Sequence, residues 1–209
     1  MPDLFSVFDI LGTIVFAISG ATTAIRKDMD ILGVVVLGVV TACGGGCLRD
    51  MMTNNTPAIL YKPDTIVLAV IFSFITFCFI MFNIRMAETK IYNWVFVISD
   101  ALGLAIFTVA GCDKVAGMYT VGYVVFFGVL TGVGGGIIRD ILAGETPYVL
   151  TKHFYASSCI IGGIVYMILR PYTKDIAAYF GIIIIFATRM LAYIYKWNLP
   201  KVNMNKKFL

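Results

Sequence analysis

Long apolar runs separated by short polar breaks dominate the chain. The runs cover about 4–25, 31–51, 64–82, 94–112, 119–141, 155–170 and 176–196. A helix rises 1.5 Å per residue, so about 20 residues cross a hydrocarbon core roughly 30 Å thick. The pattern therefore predicts an all-α integral membrane protein with seven transmembrane helices. The breaks are polar and brief: Arg26-Lys27-Asp28, Tyr61-Lys62-Pro63-Asp64, Arg85 to Lys90, Asp113-Lys114, Lys152-His153, and Arg170 to Asp175. Tyr61, Trp94, Tyr172, Tyr195 and Trp197 stand near run ends, where aromatic rings suit the headgroup region.

Composition agrees with the pattern. The 209 residues are 60% hydrophobic and 13% charged, against about 25% charged in soluble domains. Little chain is left over, and residues 1–209 read as a single membrane domain. The first run lacks a basic region before it and has Arg26 and Lys27 after it, which predicts a retained helix and not a signal peptide. Seven crossings put the termini on opposite sides. Ten basic residues, including those of the tail, fall on the C-terminal side and five on the other. This bias predicts an N-terminus outside and a C-terminus in the cytoplasm.

An internal repeat at a spacing of 90 to 91 residues organises the runs. Asp9, Gly12, Phe16 and Gly20 correspond to Asp100, Gly103, Phe107 and Gly111. Further along, Thr41, Gly44-Gly45-Gly46, Arg49-Asp50 and Thr56-Pro57 correspond to Thr131, Gly134-Gly135-Gly136, Arg139-Asp140 and Thr146-Pro147. Each copy holds three crossings, an odd number, so the copies are expected as inverted repeats over about 4–83 and 94–171. A seventh helix over 176–196 and a basic tail over 197–209 are additions.

Three consecutive glycines cost about 1 kcal/mol each in a helix relative to alanine and leave carbonyls uncovered. Helices 2 and 5 are therefore expected to be broken at Gly44–Gly46 and Gly134–Gly136, where irregular backbone lines a polar path. The plainer reading is that the glycines permit close helix packing. Intramembrane charges face a bundle interior and pair, which predicts Asp9 with Arg49 and Asp100 with Arg139 as pairs or near neighbours. Asp50 and Asp140 are expected to point toward the mouths. Ser19, Thr41 and Thr131 are candidate path hydroxyls, although each can instead bond its own helix. Arg189, inside the last run, is expected to snorkel or pair.

Catalytic and cofactor chemistry find no support. His153 is the only histidine, the glycines lack a phosphate-loop lysine, and no nucleophile elbow is present. Nothing suggests nucleic acid. The five cysteines make no metal-ligand pattern and read as buried inert thiols. No tight metal site is expected.

The doubled Gly-Gly-Gly-x-x-Arg-Asp, with an Asp-x-x-Gly helix start ahead of each copy, resembles prokaryotic members of the trimeric intracellular cation (TRIC) channel family. The resemblance spans Asp9 to about Tyr195. It implies a homotrimer in the bacterial inner membrane, with an ion path in each protomer between helices 2 and 5. Potassium and sodium would be transient occupants of that path. Gly44 to Gly46 and Gly134 to Gly136 would be its kinks, with Arg49, Asp50, Arg139 and Asp140 at its ends. Membrane lipids are further expected partners, with anionic lipid at the basic tail. Some relatives of this domain carry a glycine-transporter label. The alternative is therefore a secondary transporter of glycine or another small neutral amino acid, and a scaffold without transport is a third possibility.

Overall fold

Long apolar sequence bounded by polar breaks gives each long helix. The computed structural model describes residues 3–82, 90–151 and 154–197, with Lys90 described in its backbone only. Seven helices carry the architecture: α1 (Leu4–Arg26), α2 (Ile31–Met52), α3 (Pro63–Phe82), α4 (Lys90–Val115), α5 (Val121–Leu142), α6 (Ala156–Leu169) and α7 (Lys174–Ile194). One-turn helices at Ala58–Leu60 and Tyr148–Thr151 follow α2 and α5. Six of the seven are long and apolar enough to cross a membrane. The sixth run forms a helix of 14 residues, about 21 Å by its rise.

The polar breaks act through capping. Asp30 starts α2 by accepting the Gly33 N–H at 2.8 Å, the usual N-cap arrangement. Both α2 and α5 stop in the same way. Asn54 and Gly144, 90 residues apart, take positive φ of 55° and 69°. The next N–H in each case, of Asn55 and of Glu145, returns to the carbonyl of Asp50 or Asp140 at 2.8 Å. Asn and Gly are the residues that tolerate this left-handed termination.

Helices α1, α2, α4 and α5 form the centre. α3 packs on α1 and α2, while α6 and α7 pack on the α4–α5 side. Contacts across the centre are reciprocal. Gly12 of α1 faces the Phe107 ring of α4, Gly103 of α4 faces the Phe16 ring of α1, and the two rings meet tilted at 60° with centroids 5.2 Å apart. The two helices therefore run antiparallel. Consistently, Arg26 at the end of α1 bonds Asn93 near the start of α4 at 3.2 Å.

Helices 2 and 5 are not broken. α2 and α5 stay helical through Gly44–Gly46 and Gly134–Gly136. The glycines are used for close approach: a methyl on Gly45 would collide with the Thr131 carbonyl oxygen, and one on Gly135 with the Thr41 carbonyl oxygen. The carbonyls that glycine leaves uncovered are shielded by the opposing helix, so the hydrogen-bond ladder need not open.

The three glycines of a run are not equivalent. Gly45→Ala meets backbone that cannot rotate away and is expected to lose about 1–3 kcal/mol from overpacking. Gly46→Ala meets nothing nearer than Arg49 Nη2 at 3.8 Å and should gain up to about 1 kcal/mol of helix propensity. Thermal unfolding of the detergent-solubilised protein checks this; equal midpoints for the two variants would contradict the crossing.

Candidate functional site

The two Arg-Asp pairs end α2 and α5, in the last turn, where a cation suits the helix dipole. In each, the arginine folds back on its neighbour. Arg49 Nε donates to Asp50 Oδ1 at 2.9 Å, and Arg139 Nε donates to Asp140 Oδ1 at the same distance. The second carboxylate oxygen accepts a backbone N–H eight residues on, Ala58 at 3.0 Å and Tyr148 at 2.8 Å. Asp50 and Asp140 thus do not point toward the mouths. They are buried and tie each arginine to the turn that follows its helix.

Beyond this shared unit the two ends differ. Arg139 is fully buried. Its Nη1 donates to Asp100 Oδ1 at 2.6 Å and to Ser19 Oγ at 2.7 Å. The Tyr155 hydroxyl donates to the same Asp100 oxygen at 3.2 Å, and the Phe96 ring lies 4.9 Å from the guanidinium carbon. Nη2 is 2.8 Å from Asp140 Oδ1, an ion pair without hydrogen-bond alignment. The expected Asp100–Arg139 pair is present, and it is closed off from solvent.

Asp9 and Arg49 are near neighbours on one cavity and do not pair. Asp9 is half exposed and lies 3.8 Å from Lys62, while Arg49 keeps to Asp50 at 2.7 Å. Between them is a cavity of about 80 Å³, lined by Asp9, Thr13, Cys43, Cys47, Arg49 and Thr65 and reaching Phe107, Ala110 and Thr131. A wider groove shares Asp9, Thr13 and Thr65 with it and leads outward past Lys62 and Asp64. Ser19 corresponds to Ala110 at the spacing of 91, and Tyr155 to Thr65 at 90. The Asp9 end therefore lacks the hydroxyl and the phenol that seal Arg139, and space remains where those groups would stand.

The candidate hydroxyls divide. Thr41 and Thr131 each donate to the carbonyl four residues back, at 2.6 Å, so their protons are spent on their own helices. Thr131 still lines the cavity floor. Ser19 is drawn into the Arg139 cluster. Arg189 neither snorkels nor forms an ion pair among the described residues. It is buried, with its guanidinium carbon 4.9 Å from the centre of the Tyr155 ring. Tyr155 was the participant that sequence reasoning missed, and Arg189 was named without its place against the Tyr155 ring. The departures from repeat symmetry at Ala110 and Thr65 were the available signal. The basic residues Arg85 and Lys152 and the tail from 198 onward lie outside the described residues.

Known proteins match nearly the whole chain. The UPF0126 inner membrane protein YadS of Escherichia coli (strain K12) is 40% identical over 198 residues, covering 92% of this chain and 93% of that one. A solved structure described under conductance through TRIC cation channels shares 37% identity at a TM-score of 0.83, covering 97% of this chain and 98% of that one. The chain belongs to the TRIC family. The TRIC trimeric intracellular cation channel orthologue from Rhodobacter sphaeroides is 28% identical at a TM-score of 0.85, over 93% of this chain and 99% of that one. A family model described as Glycine transporter matches residues 6–83 and 97–171, one block on each half. The chain is thus a multi-helix membrane protein of the TRIC family.

The unequal ends make unequal demands on stability. Asp100→Asn weakens the pairing of a fully buried arginine and should cost about 3 kcal/mol. Asp9→Asn, at a half-exposed carboxylate, should cost less than about 1 kcal/mol. Unfolding in mixed micelles titrated with denaturing detergent measures both; comparable losses would contradict the asymmetry.

Proposed function

We propose that the chain is a channel for monovalent cations, potassium and sodium among them, with a path inside each protomer of a homotrimer. The observation that carries this reading is the one-sided cavity. It has a carboxylate at its mouth, its floor lies at the α2–α5 crossing, and a sealed arginine cluster stands on the far side. Asp9 raises the local cation concentration at the entrance. Arg139 is a tethered cation held by Asp100 and Ser19, so it closes the path until the cluster separates. The likeness to TRIC cation channels supports conduction. The trimeric description of the R. sphaeroides relative supports the assembly.

In this reading Gly44 to Gly46 and Gly134 to Gly136 form the narrow middle of the path, and Thr131 and Thr41 flank it. Arg49 and Asp50 stand at one end, Arg139 and Asp140 at the other. The reciprocal, antiparallel contacts of α1 with α4 support inverted repeats over about 4–83 and 94–171, with α7 added outside them. The protein resides in the bacterial inner membrane with its N-terminus outside and its C-terminus cytoplasmic, as the bias of basic residues favours. The tail over 197–209 meets anionic lipid there.

A second reading, secondary transport of glycine, is favoured by the description of the matching family model. The cavity also offers Asp9 and Arg49, the unlike charges that a zwitterion needs. Purified protein in planar bilayers under a potassium gradient separates the two. Unitary currents reversing near the potassium potential are expected; saturable uptake of labelled glycine without such currents would replace the first reading by the second. Tyr155→Phe removes a donor to a buried carboxylate, a bond worth about 1.5–3 kcal/mol. It should raise the open probability about tenfold or more. An unchanged open probability would remove Tyr155 from the seal.

A further inference from the structure

The cysteines at 43 and 47 are one helical turn apart on α2, so their side chains share one face. Both line the cavity entered past Asp9, and both are free thiols. The expectation of inert buried thiols holds for Cys112 and Cys159, which lie in the α4–α6 core. Cys43 is buried as well and Cys47 partly so, but this pair faces a cavity. The corresponding positions in the second half are Val133 and Ile137, so the repeat does not require thiols here.

We propose that Cys43 and Cys47 bind a thiophilic monovalent cation, copper(I) or silver(I), in the wall of the cavity. The ligand set selects this class. Among the described residues no group of three His, Cys, Asp or Glu side chains could hold a metal, so a tetrahedral zinc site has too few ligands. Two thiolates suit a soft cation that accepts linear coordination. Binding replaces two S–H bonds by two S–metal bonds and releases two protons, with no change in oxidation state. The resulting bis-thiolate carries one negative charge. Arg49 lines the same cavity with its charge already matched by Asp50, so the excess negative charge suits a monovalent cation passing the cavity mouth. An occupied site narrows the route from Asp9 to Thr131, and only this consequence rests on the channel reading.

The test uses the full-length protein in detergent, with copper(I) delivered by a coloured chelator. The wild type should withdraw a single copper(I) per chain. Cys43→Ser/Cys47→Ser together and Cys47→Ser alone should abolish this, and Cys78→Ser should retain it. Copper withdrawal unchanged in both the double and the single variant overturns the site. In bilayers, silver(I) should block the wild-type potassium current, and the double variant should need at least about tenfold more, as expected when a two-thiolate site is lost. Copper binding that depends on the two cysteines, in a protein that passes no current, keeps the site and overturns the channel. Current without copper binding does the reverse.

Discussion

Two helix backbones meet at the centre of this protein with no side chain between them. Gly45 lies against the Thr131 carbonyl and Gly135 against the Thr41 carbonyl, and the rest of the arrangement follows from that contact. It fixes the register of α2 against α5, which sets the ends of both helices and hence the position of each Arg-Asp pair. It also shields the carbonyls that glycine uncovers, so an apolar surrounding does not force the helix open. Van der Waals packing of small residues is the main cohesive force available between helices in lipid. A reciprocal glycine crossing makes the most of it.

Around this crossing the same local unit is built twice and completed once. Arginine, aspartate and the following turn are held alike at both ends of the pair α2 and α5. Ser19, Tyr155 and Phe96 then close over Arg139, and Arg189 of α7 backs the tyrosine ring. At the other end Ala110 and Thr65 are too short to reach Arg49, and a cavity remains. Near-symmetry repeats the unit at both ends, and its local failure leaves a cavity at one end and a closed cluster at the other.

Much of this was legible in the sequence because it depends on pattern. Apolar runs of helical length gave all seven helices with ends displaced by only a few residues, apart from a longer α4. The 90-residue spacing paired Gly45 with Gly135 and Arg49 with Arg139. The Asp100–Arg139 pair followed from the cost of burying a charge alone. What did not follow depended on depth and reach. Asp9 is half exposed in a groove beside Lys62, and Arg49 settles on Asp50. The glycine runs suggested broken helices because a sequence does not show that another helix covers the exposed backbone. Arg189 entered the cluster through α7, an element outside the repeat.

Corresponding positions of the two halves differ in what they face: Ala110 lines the cavity, and Ser19 is drawn into the Arg139 cluster. In a background with the native cysteines replaced by serine, Ala110→Cys and Ser19→Cys can be exposed in turn to a small, membrane-impermeant thiol reagent. Rates of labelling in the resting protein are the measurement. Ala110→Cys should react readily, from one side of the membrane, and Ser19→Cys should stay unlabelled from both. Equal labelling of the two cysteines would contradict this difference.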